Sequence, residues 1–299
     1  MNFLKYLTSA LISGCLLFLP LLASSGAMAE TIAFSSYLSG GWQLWSMQSD
    51  GTGLIQLTNS GHEAHYPGWS PDGRSLAYAD NEGQIWVMQI GGKPKRLPNL
   101  PPNCNYPSWS PDGNKIAFVC YSFQDRKEES EIWIANLEKG TVRQLAAQEG
   151  IQKYPAWSPD GTTIAYTTGY RMGSNRIIEE LWVVDHDGSR PSALVSDDFS
   201  NIQPDWSPTG ERIAFASDKT GNMDLWVVDK RGKNARQLTS DGSYDGDPSW
   251  SPDGSKICFV STRSGRMEVW LMDSKGGNLR PLTGLSNLEA ESKEPSWAP

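Results

Sequence analysis

The chain has 299 residues, a formal charge of −8 and a pI near 5.0. An acidic balance argues against a nucleic-acid partner, whose phosphates call for basic neutralisation. The length allows one large domain or two ordinary ones. The hydrophobic fraction of 38% is modest, but thirteen tryptophans bury much area per residue.

The first 29 residues read as a signal peptide. Lys5 is a short positive start, Tyr6 to Leu22 is almost free of charge, and Ala27-Met28-Ala29 is a small-x-small cleavage site. This predicts export, with Glu30 as the mature N-terminus and a periplasmic location. Two other readings stand beside it. Ile12-Ser13-Gly14-Cys15 resembles a lipobox, which would leave a lipid on Cys15, and the apolar run approaches the ~18 residues of a membrane anchor.

From Thr31 onward the chain repeats. Trp69, Trp109, Trp157, Trp206, Trp250 and Trp297 each follow a proline by two residues, at steps of 40, 48, 49, 44 and 47. Trp45, Trp86, Trp133, Trp182, Trp226 and Trp270 each sit inside a short apolar run. A period in this range, with several short strands per unit, marks a β-propeller. The expected fold is all-β: a six-bladed propeller of four-stranded blades over residues 30–299.

Within a unit the elements follow in order. Strand A carries Pro-x-Trp, as in Gln203-Pro204-Asp205-Trp206. A Ser-Pro-Asp-Gly turn follows, with glycine kept at Gly73, Gly113, Gly161, Gly210 and Gly254, where a bulge needs positive φ. Strands B and C, such as Ile213-Ala214-Phe215 and Leu225-Trp226-Val227-Val228, are continuous apolar runs, the pattern of a sheet covered on both faces. A short strand D closes the unit. Proline in strand A is tolerated on an inner edge facing the channel. The mature chain opens on a strand B, Ile32-Ala33-Phe34, and ends on a strand A, Glu294 to Pro299. The expectation is that the C-terminal strand joins the N-terminal three and closes the ring, leaving no open edge.

Cysteine usage adds two expectations. Cys258 takes the small-residue slot held by alanine in other units, so it reads as buried. Cys104 and Cys120 fall opposite each other across one hairpin, and an exported chain permits a bond there; bonded and free forms both remain open.

The Pro-x-Trp-Ser-Pro-Asp-Gly unit, followed by Ile-Ala-Phe and a Trp-Val-Met-Asp strand, resembles the TolB propeller repeat over residues 31 to 299. The resemblance implies a periplasmic, non-enzymatic propeller that binds the peptidoglycan-associated lipoprotein within the Tol–Pal system. Members of that family carry an α/β domain ahead of the propeller and an arm that contacts TolA. Here Glu30-Thr31 leads directly into strands, so that contact is not expected. A protein partner, a monomeric state and no cofactor are the corresponding expectations.

Candidate binding residues lie just before the blade prolines: Tyr66, Tyr106, Tyr154, Gln203, Asp247 and Glu294. One position earlier come His65, Asn105 and Lys153. By topology these positions converge at the channel mouth on the face of the B–C and D–A loops, giving three tyrosines and two carboxylates. Such a ring suits a protein segment or a small glycan or peptide. Each tyrosine taken alone reads rather as a cap on the tryptophan beneath, and it is the ring as a whole that reads as a binding surface. Phe123 to Glu131 and Tyr170 to Arg176 read as the longest loops on that face.

Enzyme signals are weak, and no catalytic residue is assigned. His62-Glu63-Ala64-His65 lacks the four-residue helical step of a zinc motif. Asp185-His186-Asp187-Gly188 lacks the later ligands of a calcium loop and reads as a turn. No G-x-S-x-G occurs. A metal-dependent lyase or hydrolase using His65 is the third reading, and no metal ligand is assigned.

Overall fold

A computed structural model describes residues 30–124, 127–145, 150–172, 176–283 and 290–299. Residues 1–29, read above as a signal peptide and including Cys15, lie outside these residues, as do the tips of the two long connections.

The first repeat contributes β1 (Thr31–Ser36), β2 (Gln43–Gln48) and β3 (Ile55–Gln56). The second has β4 (Ala64–Trp69), β5 (Ser75–Asp80), β6 (Ile85–Gln89) and β7 (Lys95–Arg96). The third has β8 (Cys104–Trp109), β9 (Lys115–Gln124), β10 (Lys127–Asn136) and β11 (Thr141–Gln144). The fourth has β12 (Ile151–Trp157), β13 (Thr163–Met172), β14 (Arg176–Asp185) and β15 (Ser192–Val195). The fifth has β16 (Asn201–Trp206), β17 (Arg212–Ser217), β18 (Asp224–Asp229) and β19 (Arg236–Gln237). The sixth has β20 (Asp245–Trp250), β21 (Lys256–Ser261), β22 (Glu268–Asp273) and β23 (Arg280–Pro281), and β24 (Ser292–Trp297) ends the chain. No helix occurs among the described residues.

The fold is an all-β propeller, but the expectation of six separate four-stranded blades is corrected. Four blades are four-stranded, while the strands of the third and fourth repeats form one eight-stranded sheet. The cause is hairpin length. On either side of the tips of the segments read as the longest loops, the described residues continue the strands, so β9, β10, β13 and β14 reach ten residues each. Lengthened in this way, β10 meets β12 in a parallel bridge at Ser130 and Ile151. The Ser130 hydroxyl donates to the Gln152 carbonyl at 2.6 Å, and the Ile132 N–H donates to the Gln152 side chain at 3.1 Å. Buried polar groups require such partners.

At the other end of the chain, β24 pairs antiparallel with β1, placing Trp297 opposite Ile32 and Ser292 opposite Ser36. The Ala298 N–H donates to the Thr31 carbonyl at 2.8 Å.

The two tryptophan sets have different work. Those of strand C stand across from an aromatic of strand B in every repeat: Trp45 opposite Phe34, Trp86 opposite Tyr78, Trp133 opposite Phe118, Trp182 opposite Tyr166, Trp226 opposite Phe215 and Trp270 opposite Phe259. Aromatic cross-strand pairs each contribute roughly 0.2–1 kcal/mol. Three of those of strand A, Trp69, Trp109 and Trp206, pin their repeat to the previous one, whereas the buried indole nitrogens of Trp157 and Trp250 have no such partner. The indole N–H of Trp69 donates to the Ser296 carbonyl at 3.1 Å, that of Trp109 to Gly68 at 3.1 Å, and that of Trp206 to Ala156 at 3.2 Å.

The A–B turns follow the predicted chemistry. Gly73, at φ 67°, donates its N–H to Ser70, and Ser70 bonds the Asp72 carboxylate at 2.6 Å. Where Thr209 replaces the aspartate, the matching contact with Ser207 lengthens to 3.3 Å. Cys258 is fully buried, and Cys104 and Cys120 face each other across β8 and β9, joined by a disulfide.

Candidate functional site

Every inner strand carries the same irregularity. The ladder between strands A and B breaks between His65 and Gly68, Asn105 and Ser108, Lys153 and Ala156, Ile202 and Asp205, and Gly246 and Ser249. The closing strand shifts register in the same way against Ala33 and Ser35. The residue before each inner proline cannot take the right-handed helical region. It turns left-handed instead: φ is 55° at Tyr66, 56° at Tyr106, 54° at Tyr154, 57° at Gln203, 49° at Asp247 and 58° at Glu294. None of these is glycine, so each carries on the order of 1–2 kcal/mol of strain.

The bulges bring these six side chains into one ring across the channel. The ring has two arcs. On one, tyrosine packs against tyrosine with the rings tilted: those of Tyr66 and Tyr106 lie 4.4 Å apart, and those of Tyr106 and Tyr154 4.5 Å apart. Burial pushes the Tyr66 and Tyr154 hydroxyls well above the usual phenol range, reinforced by nearby carboxylates and by Tyr106.

On the other arc, each polar side chain accepts the N–H of the next repeat's bulge. Gln203 accepts from the Asp247 N–H at 3.0 Å and donates its amide to the Asp247 carboxylate. Asp247 accepts from the Glu294 N–H, and Glu294 from the Tyr66 N–H at 2.8 Å. Glu294 also accepts from the Ser35 hydroxyl at 2.6 Å and pairs with Lys293 at 3.1 Å. Enclosure would raise its carboxyl, but His65, Lys293 and Ser35 hold it below the usual range. For Asp247 the Lys293 charge, the Glu294 N–H and Gln203 act in the same direction but do not prevail. Enclosure and the Glu294 charge push it up to about 7.

Above this ring the channel widens into a cavity of about 410 Å³ that reaches the prolines of the A–B turns, such as Pro71 and Pro299. Its rim is therefore the A–B turn face, and the ring is its floor. His65 and Asn105 line a recess that shares Tyr66 with the channel. Lys153 is paired with Glu179 at 3.3 Å.

Three features of this region were not singled out in sequence, save that His62 was read with His65 as a motif lacking the helical zinc step. Asp205 lines the cavity one step outward from Gln203 and accepts the Trp250 N–H at 2.8 Å. Enclosure raises it to about 7. The matching positions are Gly68, Ser108, Ala156, Ser249 and Ser296, so aligning the repeats exposes it as the odd member. Trp42, the one tryptophan outside both periodic sets, lies 5.6 Å from the His65 ring and beneath the Lys293 ammonium at 4.4 Å. His62, Asp80 and Glu82 present ligand atoms within 4.8 Å of one another. Asp80 already accepts the Glu82 and Gln84 N–H groups and the Trp86 indole. His65 turns away from this group toward Glu294, at 3.6 Å.

Comparison with known proteins agrees with the repeat. No curated protein matches the sequence. A protein described as TolB from Agrobacterium tumefaciens superposes with a TM-score of 0.70 at 25% identity, over 84% of this chain and 88% of that one. TolB from Acinetobacter baumannii gives 0.75 at 22% identity, over 92% and 68%. An oligogalacturonate lyase from Vibrio parahaemolyticus shares the fold with a TM-score of 0.61 at 13% identity, over 85% and 74%. The signature of the TolB beta propeller domain matches residues 25–188 and 178–299, and the chain belongs to that family.

Proposed function

We propose that this chain is an exported, periplasmic, non-enzymatic propeller that binds a protein segment in its channel as part of cell-envelope maintenance. One observation carries the reading. Six equivalent bulges hold six strained residues of differing chemistry around one cavity. Backbone strain repeated at one ring and varied only in side chain is what a recognition surface needs. Tyr66, Tyr106 and Tyr154 supply rigid contact area with polar tips. Gln203, Asp247 and Glu294 supply orientation, with His65, Asn105 and Lys153 outside the ring. Family membership supports a partner of the peptidoglycan-associated lipoprotein type. The protein works as a monomer, without cofactor or nucleic acid.

A glycan or short peptide is the second reading, favoured by the three stacked tyrosines at the cavity floor. Cross-linking in the native envelope, followed by mass spectrometry, separates the two. An outer-membrane lipoprotein captured by the wild type and lost with Tyr66→Ala/Tyr106→Ala/Tyr154→Ala is the expected outcome. No capture above background overturns the protein-binding reading in favour of the small ligand.

A further inference from the structure

The seven residues after each strand C carry the chain round to strand D. In the second, fifth and sixth repeats these windows are residues 90–96, 230–236 and 274–280. Together they hold nine lysines and arginines and no acid, in a chain whose formal charge is −8. All nine side chains are exposed. The matching windows of the third and fourth repeats, 137–143 and 186–192, hold three bases and two acids. Lys230 pairs with Glu211 at 2.8 Å, and the other eight make no ion pair among the described residues. Asp229 and Asp273, which end their strands C, turn their carboxylates onto N–H groups of their own turns. Asp229 accepts from Arg231 at 2.9 Å and Lys233 at 3.0 Å, and Asp273 from Lys275 at 2.8 Å and Gly277 at 2.9 Å.

The basic windows join through the first repeat into one arc. The Arg236 guanidinium donates to the Ser274 carbonyl at 3.2 Å and to the Lys275 carbonyl at 2.9 Å, and Arg280 donates to the Ser49 carbonyl. Leu57 of the first repeat shares an apolar cluster with Met88 of the second. Carbonyl partners fix these two guanidinium groups without neutralising them. The same arc carries exposed apolar side chains. Of the six large ones exposed among the described residues, Leu54, Ile55, Ile90 and Leu279 lie in the windows of the first, second and sixth repeats. Apolar residues scattered singly over a surface need no explanation, but these gather where the bases do. Apolar tips set among exposed bases suit the boundary between lipid headgroups and acyl chains, where charge attraction and buried apolar area add. A protein partner fits less well, because interface cores are depleted of lysine and five of the nine bases are lysine. A soluble polyanion offers the aliphatic tips nothing to bury against.

We propose that the C–D turns of the fifth, sixth, first and second repeats form a docking arc for a bilayer that bears anionic lipids. The lysines and arginines meet the headgroups, and Leu54, Ile55, Ile90 and Leu279 reach the acyl boundary. The contact is peripheral and independent of what the channel binds.

The test is flotation of the full chain with phosphatidylcholine vesicles, with and without about one third phosphatidylglycerol. At about 0.1 M salt the protein should partition at least about tenfold more strongly onto the anionic vesicles. Raising salt to about 1 M, where charges act over only about 3 Å, should abolish that preference. Lys93→Glu/Lys95→Glu/Arg231→Glu/Lys233→Glu should weaken anionic binding at least about tenfold. Ile55→Ser/Leu279→Ser should weaken it several-fold with the charges intact. Lys139→Glu, in the third repeat and outside the arc, should bind as the wild type does. Tyr66→Ala/Tyr106→Ala/Tyr154→Ala should also bind unchanged, which separates this contact from the channel. Thermal melts check that each variant folds, and a quadruple variant that does not fold is replaced by its two halves, one per repeat. Equal binding to neutral and anionic vesicles overturns the proposal, as does binding to neither. Anionic binding that survives the charge reversal or the serine changes also overturns it. Heparin binding without vesicle binding overturns it in favour of a soluble polyanion.

Discussion

The two arcs of the channel ring share one backbone and differ in what holds them. In the aromatic arc, Tyr66, Tyr106 and Tyr154 touch through tilted rings, and Tyr106 shares hydroxyl hydrogen bonds with the other two. In the polar arc, Gln203, Asp247 and Glu294 each accept the bulge N–H of the next repeat. Stacked rings are worth roughly 0.5–1.5 kcal/mol beyond their buried area, and losing one leaves no orphaned charge. A buried carboxylate that accepts several hydrogen bonds is different, because its removal strands every donor around it. The polar arc should therefore be the brittle half, and the aromatic arc the tolerant one.

The largest expected effect comes from Glu294→Ala. It strands the Ser35 hydroxyl and the Tyr66 N–H and leaves Lys293 without its partner. A loss of about 3–5 kcal/mol in denaturant unfolding is expected. A loss under about 1 kcal/mol would mean that the arc is not an interlocked unit.

The second effect is pH dependence. Asp205 and Asp247 have folded-state values near 7, above the unfolded value of 3.8. Between those limits the folded state binds more protons than the unfolded state, so stability falls as pH rises through the window. From pH 5 to pH 8 each of the two groups should contribute a loss on the order of 2 kcal/mol, and Asp247→Asn should remove about half of the slope. A wild-type profile that stays level, or rises, would show that the enclosed carboxylates are neutralised by something other than protonation.

The smallest effect belongs to the aromatic arc. Tyr106→Leu keeps apolar contact and loses two ring–ring contacts. The expected cost is about 0.5–1.5 kcal/mol in thermal or denaturant unfolding. A cost equal to that of Glu294→Ala would erase the distinction between the arcs.

The sequence was most legible where one physical demand repeats. Glycine at the fourth turn position, proline on the inner edge and the apolar B and C strands identify the repeat, its strand order and its family. The pairing of β24 with β1 joins a strand A to a repeat that otherwise has only strands B, C and D, as the repeat pattern leads one to expect. The merged sheet was not legible. Phe123 to Glu131 is charged enough to pass for a loop, yet the flanking strands run on, and only the packed neighbour at Ile151 reveals the bridge.

For the site, sequence by itself determined which six residues stand before the inner prolines, because proline restricts the residue that precedes it. Only the tertiary structure decided that the bulge turns them left-handed, that half of the ring packs ring against ring while the other half accepts backbone N–H groups, and that the cavity runs from the ring to the turn prolines. Those outcomes depend on distances between repeats, and no local pattern encodes them. Asp205 lies between the two cases. Its place in the repeat was readable, but its lack of a counter-charge becomes visible only once every strand around the channel is in place.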